Sequence, residues 1–456
     1  MSRPASEPDV LLINPWIYDF AAFDFWFKPL GLLIIASVLR ERTTARLHWI
    51  DCLDRAHPAV RGRSRSTPDG RGSFHKEEAA KPAVLKDVPR RFSRYGLPVE
   101  AFEAELDRIP TPAAVLLTCT MTYWYPGVQA VVEIVRRKFG AVPVILGGIY
   151  ATLCAEHARS HSEADVVLSG PGENTILTVL REILGDAAVR DGASIDSIAA
   201  WPSPAFDLLG SKDVLPVQTS RGCPSRCSFC ASRLLFDGFE ERLPEAAAGD
   251  VAAAHALFGT RHFAFYDDAL LLNKRMRIVP FLEDIARRDL GLAFHTPNGL
   301  HVREVDAGLA RLFKRAGVES IFLSQESSNP DVLRQACPKV EADDLGRAAA
   351  ALEQAGFRRG DLNVYLIAGL PGQSAESIRV DIRFVHELGL RPRLAHFSPI
   401  PGTPAWADLV RAGRLRPDAD PLLHNKAAFP YLGGTIDPQT WESLLREAAL
   451  PVQERR

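Results

Sequence analysis

The sequence predicts an α/β protein of two successive units, a doubly wound parallel sheet followed by an α/β barrel. Three observations carry that prediction. Apolar strand-like runs alternate with helix-length segments from Val10 to Leu168. A second alternation, six strands with five helices between them, runs from Val214 to residue 399. Between the two lies Ala187–Gly210, whose Asp-Gly and Trp201-Pro202-Ser203-Pro204 read as a linker anchored by Trp201. The implied division is 1–186, linker 187–212, barrel 213–404 and a C-terminal extension 405–456.

Length and composition agree with this. A chain of 456 residues with 46% hydrophobic content can form two or three domains, each with a core. A net charge of −2 gives no overall pull toward nucleic acid or a membrane surface. No apolar run approaches the roughly 20 residues of a membrane span, and Met1–Asp9 lacks the basic-then-apolar pattern of a signal peptide. Cys52, Cys119, Cys154 and Cys337 are scattered singly, which is not a disulfide framework, so they read as buried structural thiols in a reducing cytoplasm.

In the first unit, strands are expected at Val10–Asn14, Arg46–Cys52, Ala113–Cys119, Val142–Leu146 and Asp165–Leu168, with helices near 31–42, 128–139 and 155–159. The strands end in Asn14, Thr118 and Thr120, Gly147-Gly148, and Gly170-Pro171-Gly172-Glu173. In such sheets ligands bind beyond the carboxyl ends, and glycines there admit a large group close to the backbone. They are also ordinary turn residues. No G-x-G-x-x-G is present, which argues against a dinucleotide. An insertion spans about 55–107. Within it, residues 55–94 hold eleven Lys/Arg against four Asp/Glu, and the Arg61–Gly72 portion reads as a mobile solvated loop. A basic patch of this kind can also meet phosphate or nucleic acid.

In the second unit, strands are expected at 214–219, 262–267, 292–296, 319–324, 363–367 and 394–399. Helices fall near 244–258, 274–288, 304–316, 341–356 and 375–388. The extension adds helices at about 405–413 and 438–448, and its sequence discloses no substrate. Directly after the first strand stands Arg221-Gly222-Cys223-Pro224-Ser225-Arg226-Cys227-Ser228-Phe229-Cys230. Three cysteines at C-x₃-C-x₂-C spacing on one loop suit an iron–sulfur cluster or zinc, because thiolate is a soft ligand. Structural zinc takes four protein ligands, and the next Cys or His is His255, inside a predicted helix. Three ligands on a [4Fe–4S] cluster leave one iron open for chemistry.

The cysteine motif, with Phe229 before its third cysteine, resembles that of the radical S-adenosylmethionine (SAM) superfamily. The resemblance implies a partial (β/α)₆ barrel and a cluster on Cys223, Cys227 and Cys230. SAM would chelate the open iron and be cleaved to methionine and a 5′-deoxyadenosyl radical, the electron coming from a donor such as flavodoxin or ferredoxin. It further implies SAM contacts from Phe229, from Asp267 or Asp268, and from Glu326 in Ser324-Gln325-Glu326-Ser327. Gly369 and Gly372 of Gly369-Leu370-Pro371-Gly372, and Pro401 of Pro399-Ile400-Pro401-Gly402-Thr403-Pro404, complete that set. Position 325 holds Gln where relatives often have Gly. Asp267 and Asp268 also suit a helix cap.

The first unit resembles the Rossmann-like cobalamin-binding domain that precedes the barrel in one large class of these enzymes. That implies cobalamin at Asn14, Thr118, Thr120, Gly147, Gly148, Gly170, Gly172 and Glu173. The D-x-H-x-x-G motif of some cobalamin proteins is absent. The implied reaction is methyl transfer to an unactivated carbon of a small-molecule substrate. A cobalamin-free rearrangement or cyclisation is the alternative, and a non-enzymatic metal- or nucleic-acid-binding protein is a third reading resting on the basic insertion.

Overall fold

The computed structural model describes residues 7–337, 340–341 and 343–452. The leader reading therefore falls partly outside the described residues, as do one position of the helix expected at 341–356 and the end of the extension. The chain divides into two compact units, Met1–Lys212 and Asp213–Arg456.

In the first unit five strands form one parallel sheet in the spatial order Val166–Val167, Val144–Gly147, Ala114–Thr118, Asp9–Asn14, Arg46–Asp51. The central strand is clamped on both sides, Leu12 pairing with Trp49 and with Leu116. Period-two alternation sends Val10, Leu12, Ala114, Leu116 and Ile145 to one face. There they meet Leu32, Ala36 and Leu39 of helix Leu30–Arg42 and Ile176 and Leu180 of helix Thr175–Leu184, each set at helical spacing. Leu11, Ile13, Val115 and Leu117 are equally buried on the other face. Burial on both faces is what a parallel sheet between helix layers requires. Each such leucine contributes about 1.5–3 kcal/mol by leaving water.

The insertion corrects one expectation. Arg61–Pro68 is largely exposed, as a solvated loop would be, but Asp69–Gly72 is pinned against a run of aromatics rather than left mobile. Gly72–Ser73 pairs antiparallel with Phe23–Asp24, and Ser93–Tyr95 pairs with both Ile17–Asp19 and Lys76–Glu78. Trp26 donates its indole N–H to Asp69 O at 2.6 Å, and the Arg71 guanidinium lies 4.8 Å above the Trp26 ring. Arg55 pairs with Asp24 at 2.8 Å and Arg94 with Glu77 at 2.5 Å. Several of the cations that suggested a basic patch are thus paired locally.

In the second unit the barrel strands form two parallel four-stranded sheets. One runs Val214–Val217, His262–Phe265, Ala293–His295, Val318–Ser320, and the other Leu300–His301, Phe322–Glu326, Asn363–Ala368, Arg391–His396. The strand expected at 319–324 is therefore broken at Ile321. The last strand lies nearer the N-terminus than 394–399, because Asn363 pairs with Arg391 and Ala368 with His396 while Pro399 and Pro401 cannot donate to a ladder. Phe263, Phe265 and Phe294 stack on the helix-covered face with Phe281 of helix Ile278–Arg288. Helix Pro330–Ala336, which the sequence pattern did not disclose, starts at an Asn329 cap whose side chain accepts from Asp331 N.

Candidate active site

The cysteine loop is closed at its base before any cysteine is reached. Ser220–Arg221 pairs antiparallel with Glu240–Glu241, and Arg221, 4% exposed, binds Glu240 at 3.0 Å and stacks on Phe236. Gly222 has φ +82, and a Cβ there would fall 2.2 Å from Gly238 O, so the closure tolerates only glycine. Inside the loop Cys230 N donates to Cys227 O, Ser228 N to Ala336 O and Ala405 N to Ser228 O. Cys227 is buried, Cys223 partly exposed and Cys230 exposed. Although Cys230 keeps an exposed edge, desolvation by the surrounding loop pushes its thiol up to about 11, and Cys227, Asp268 and Cys223 beside it raise it further. Three thiols on one short loop are a soft donor set of the kind that holds an iron–sulfur cluster, so these residues fit one.

Cys337 is the residue sequence reasoning missed. It was expected to be a structural thiol buried in a strand. It instead follows helix Pro330–Ala336, fully buried, with its Sγ 3.6 Å from that of Cys227. Nothing in the isolated sequence could have signalled this, since the two stand 110 positions apart.

The two aspartates after the second strand divide their roles. Asp267 is 1% exposed and accepts from Thr219 N at 3.1 Å, Thr219 Oγ1 and Ser220 Oγ at 2.6 Å, and buried Arg277 at 3.0 Å. Arg277 also donates to the carbonyls of Ala269, Leu270 and Leu272. Asp267 is thus the centre of a buried hydrogen-bond knot that braces the loop's first strand. Asp268 lies at the surface, accepting from Gly222 N at 3.2 Å; desolvation by the surrounding loop raises its carboxyl.

The later strand ends converge on the same loop. Glu326, half-buried, ends its strand at φ +65, in the left-handed region that costs a non-glycine residue about 1–3 kcal/mol and clusters at functional sites. Beside it Gln325 is buried at a ladder irregularity, its Nε2 donating to Ser327 O while its Oε1 has no partner among the described residues. Ser327 and Ser328 are held by buried Asp381. Phe229 packs toward Ile367, Leu370, Phe397 and Phe429. Gly369 and Gly372 take φ +90 and +82, and Gln373 Oε1 accepts from Gly369 N at 2.8 Å. His396 closes the sixth strand, donating Nδ1–H to Phe397 O, and burial pushes its pKa down to about 4. Its Nε2 lies beside Gly369 with no partner among the described residues. Half-buried Pro401 precedes Gly402, which faces Leu234 of the cysteine loop. The extension joins in through Thr435, whose hydroxyl donates to Gly369 O at 3.0 Å.

In the first unit the predicted residues sort differently. A Cβ on Gly147 or Gly170 would meet nothing within 4 Å, and one on Gly172 only Ile35 at 3.7 Å. Gly148, at φ +93, lies against Thr118 Oγ1 and Cys119 O. Thr118 is buried and Thr120 half-buried. These strand ends leave an open backbone cradle, which fits a large planar group. Asn14 and Glu173 are engaged elsewhere: Asn14 donates to Asp51 at 2.7 Å, and Glu173 accepts from Trp201 Nε1 at 2.7 Å, anchoring the linker.

An α/β barrel bearing three thiols on its first loop, behind a Rossmann-like domain, defines a class of metal-dependent barrel proteins. Comparison with known families sharpens this. The family model described as radical SAM superfamily matches residues 217–385, and that described as B12 binding domain matches residues 89–180. The chain is 26% identical over 324 residues to an uncharacterised methyltransferase of Pyrococcus horikoshii, covering 65% of this chain and 69% of that one. It is 24% identical over 330 residues to the anaerobic magnesium-protoporphyrin IX monomethyl ester cyclase of Cereibacter sphaeroides, covering 62% of this chain and about half, 52%, of that one. Its fold is that of the radical SAM methyltransferase TsrM from Kitasatospora setae, with TM-score 0.69, 14% identity and coverage of 98% and 89%. The chain belongs to the radical SAM superfamily, in the class whose barrel follows a B12-binding domain. No helix among the described residues is long and apolar enough to cross a membrane.

Proposed function

We propose that this chain is a cobalamin-dependent radical SAM methyltransferase acting on an unactivated carbon of a small molecule in the cytoplasm, with a flavodoxin- or ferredoxin-type electron donor. The observation that carries the reading is the convergence of the ends of several barrel strands on the loop bearing Cys223, Cys227 and Cys230. When bound, the cluster, SAM and cobalamin supply an electron, a hydrogen-abstracting carbon radical and a transferable methyl group.

The chain's own residues do the positioning. Cys223, Cys227 and Cys230 would hold iron. Asp268, rather than the engaged Asp267, would accept from the ammonium of SAM, and Glu326 from a ribose hydroxyl. The backbone at Gly369 and Gly372, with Phe229 and Pro401, would border the adenosine. His396, kept neutral by burial, presents an acceptor nitrogen beside Gly369. Thr118, Thr120, Gly147, Gly148, Gly170 and Gly172 would border the corrin. Similarity to a cyclase makes cobalamin-free ring closure the second reading.

Anaerobic reconstitution with hydroxocobalamin, followed by iron and cobalamin counts and analysis of SAM products, tests the proposal. About four irons with about one cobalamin, and consumption of SAM to 5′-deoxyadenosine and S-adenosylhomocysteine, are expected. Iron without cobalamin, with 5′-deoxyadenosine alone, would favour ring closure or rearrangement.

A further inference from the structure

We propose that His262, His295 and Glu319 form a second metal site, for a divalent ion of the zinc class, on the barrel-sheet face opposite the helix layer. One ligand atom from each of the three residues lies within 4.8 Å of the others. The ladder explains the grouping. Ala264 pairs with His295, so His262, two residues before Ala264, projects from the same face. Phe263, Phe265 and Phe294 take the opposite face, where Phe263 and Phe265 stack on Phe294 and Phe281 meets Phe265 and Phe294 edge-on.

The third donor is delivered by an irregularity. Phe294 pairs with Val318 and His295 with Ser320, so Glu319 is an extra residue on its strand. Bulges of this kind re-aim side chains, and this one adds a carboxylate to the two imidazoles.

The donor set has the chemistry of a borderline cation. His262 Nδ1 and His295 Nε2 stand 3.0 Å apart, close to the ~3.3 Å that two nitrogens adopt on tetrahedral zinc with Zn–N of about 2.0–2.1 Å. His295 is fully buried, and its other nitrogen lies 2.9 Å from Ser320 Oγ, the outer-shell contact that fixes ring orientation in metal-bound histidines. Two nitrogens and one carboxylate leave a fourth position for water. Such an ion ties three adjacent strands together where their ladder is irregular. The set contains no thiol and so is chemically separate from the cysteine loop.

The test uses full-length protein whose cysteines are already loaded with iron, equilibrated with zinc sulfate, gel-filtered and assayed for metal by mass spectrometry. Wild type should retain about one zinc per chain with nitrogen and oxygen neighbours by X-ray absorption. His262→Gln and Glu319→Gln, at half-buried and exposed positions that leave folding intact, should each weaken zinc binding at least tenfold without changing iron content. The proposal is overturned if wild type retains no zinc, if the zinc has sulfur neighbours, or if both variants bind as wild type does. In those cases the 3.0 Å contact is only a hydrogen bond between the two rings. The result does not depend on which reaction the iron centre performs.

Discussion

The cysteine loop of the barrel and the glycine face of the first sheet are both sites at the carboxyl ends of parallel strands, and they are built in opposite ways. The first is made of side chains: three thiols, a surface carboxylate and a strained glutamate. The second is made by leaving side chains out, so that Gly147 and Gly170 present bare backbone to open space. A site of the first kind loses function when a donor is removed. A site of the second kind loses it when an atom is added.

Substitutions break or sharpen that contrast. Cys227→Ala should have the largest effect, dropping iron from about four per chain to background and abolishing SAM cleavage, read by iron assay and product chromatography. Asp267→Ala comes next. It strips buried Arg277 of its 3.0 Å partner and leaves it Glu241 at 3.4 Å, and a loss of about 3 kcal/mol in denaturant unfolding is expected. Asp268→Asn, at the surface, should instead leave the unfolding midpoint in place and raise the KM for SAM.

Stability should also depend on pH. His396 stays neutral down to about 4 against an ordinary 6.5. As pH falls through that window the unfolded chain takes up a proton that the folded chain refuses, so stability drops by up to about 3 kcal/mol. Asp51, raised to about 6 by burial, acts in the opposite sense: its contribution is lost as pH rises from 3.8 toward 6. The check is therefore the difference between wild type and His396→Gln, whose unfolding curves should diverge between pH 6.5 and 4. The smallest change in stability belongs to the glycine face. Gly147→Val, where a Cβ meets nothing, should leave unfolding within about 0.5 kcal/mol of wild type while cobalamin content falls sharply.

The same contrast accounts for what could be read from the sequence. The cysteine spacing, the order of strand-end motifs and the alternation of strands and helices are local patterns, and they locate both sheets and the thiol loop. What depends on long-range pairing was not legible. The contact of Cys337 with Cys227, the capture of Asp267 by Arg277, and the bulge at Glu319 each join residues whose partnership only the fold defines. The aromatic run Trp16–Phe27 was visible, yet its role as the surface that orders the basic insertion required the antiparallel pairing of Phe23–Asp24 with Gly72–Ser73. Asn14 and Glu173 were chosen for their positions at strand ends. Their hydrogen bonds to Asp51 and Trp201 show that position alone does not distinguish a ligand from a brace.

The two-residue ribbon that joins Ser220–Arg221 to Glu240–Glu241, locked where Gly222 meets Gly238, sets how the thiols are gathered. Pairing of the ribbon meets part of the entropy of closing the loop that carries the three cysteines. Small zinc modules, by contrast, collapse without their ion. The barrel instead fixes both ends of this loop with its own backbone pairing, so the loop's place is set by the sheet it grows from.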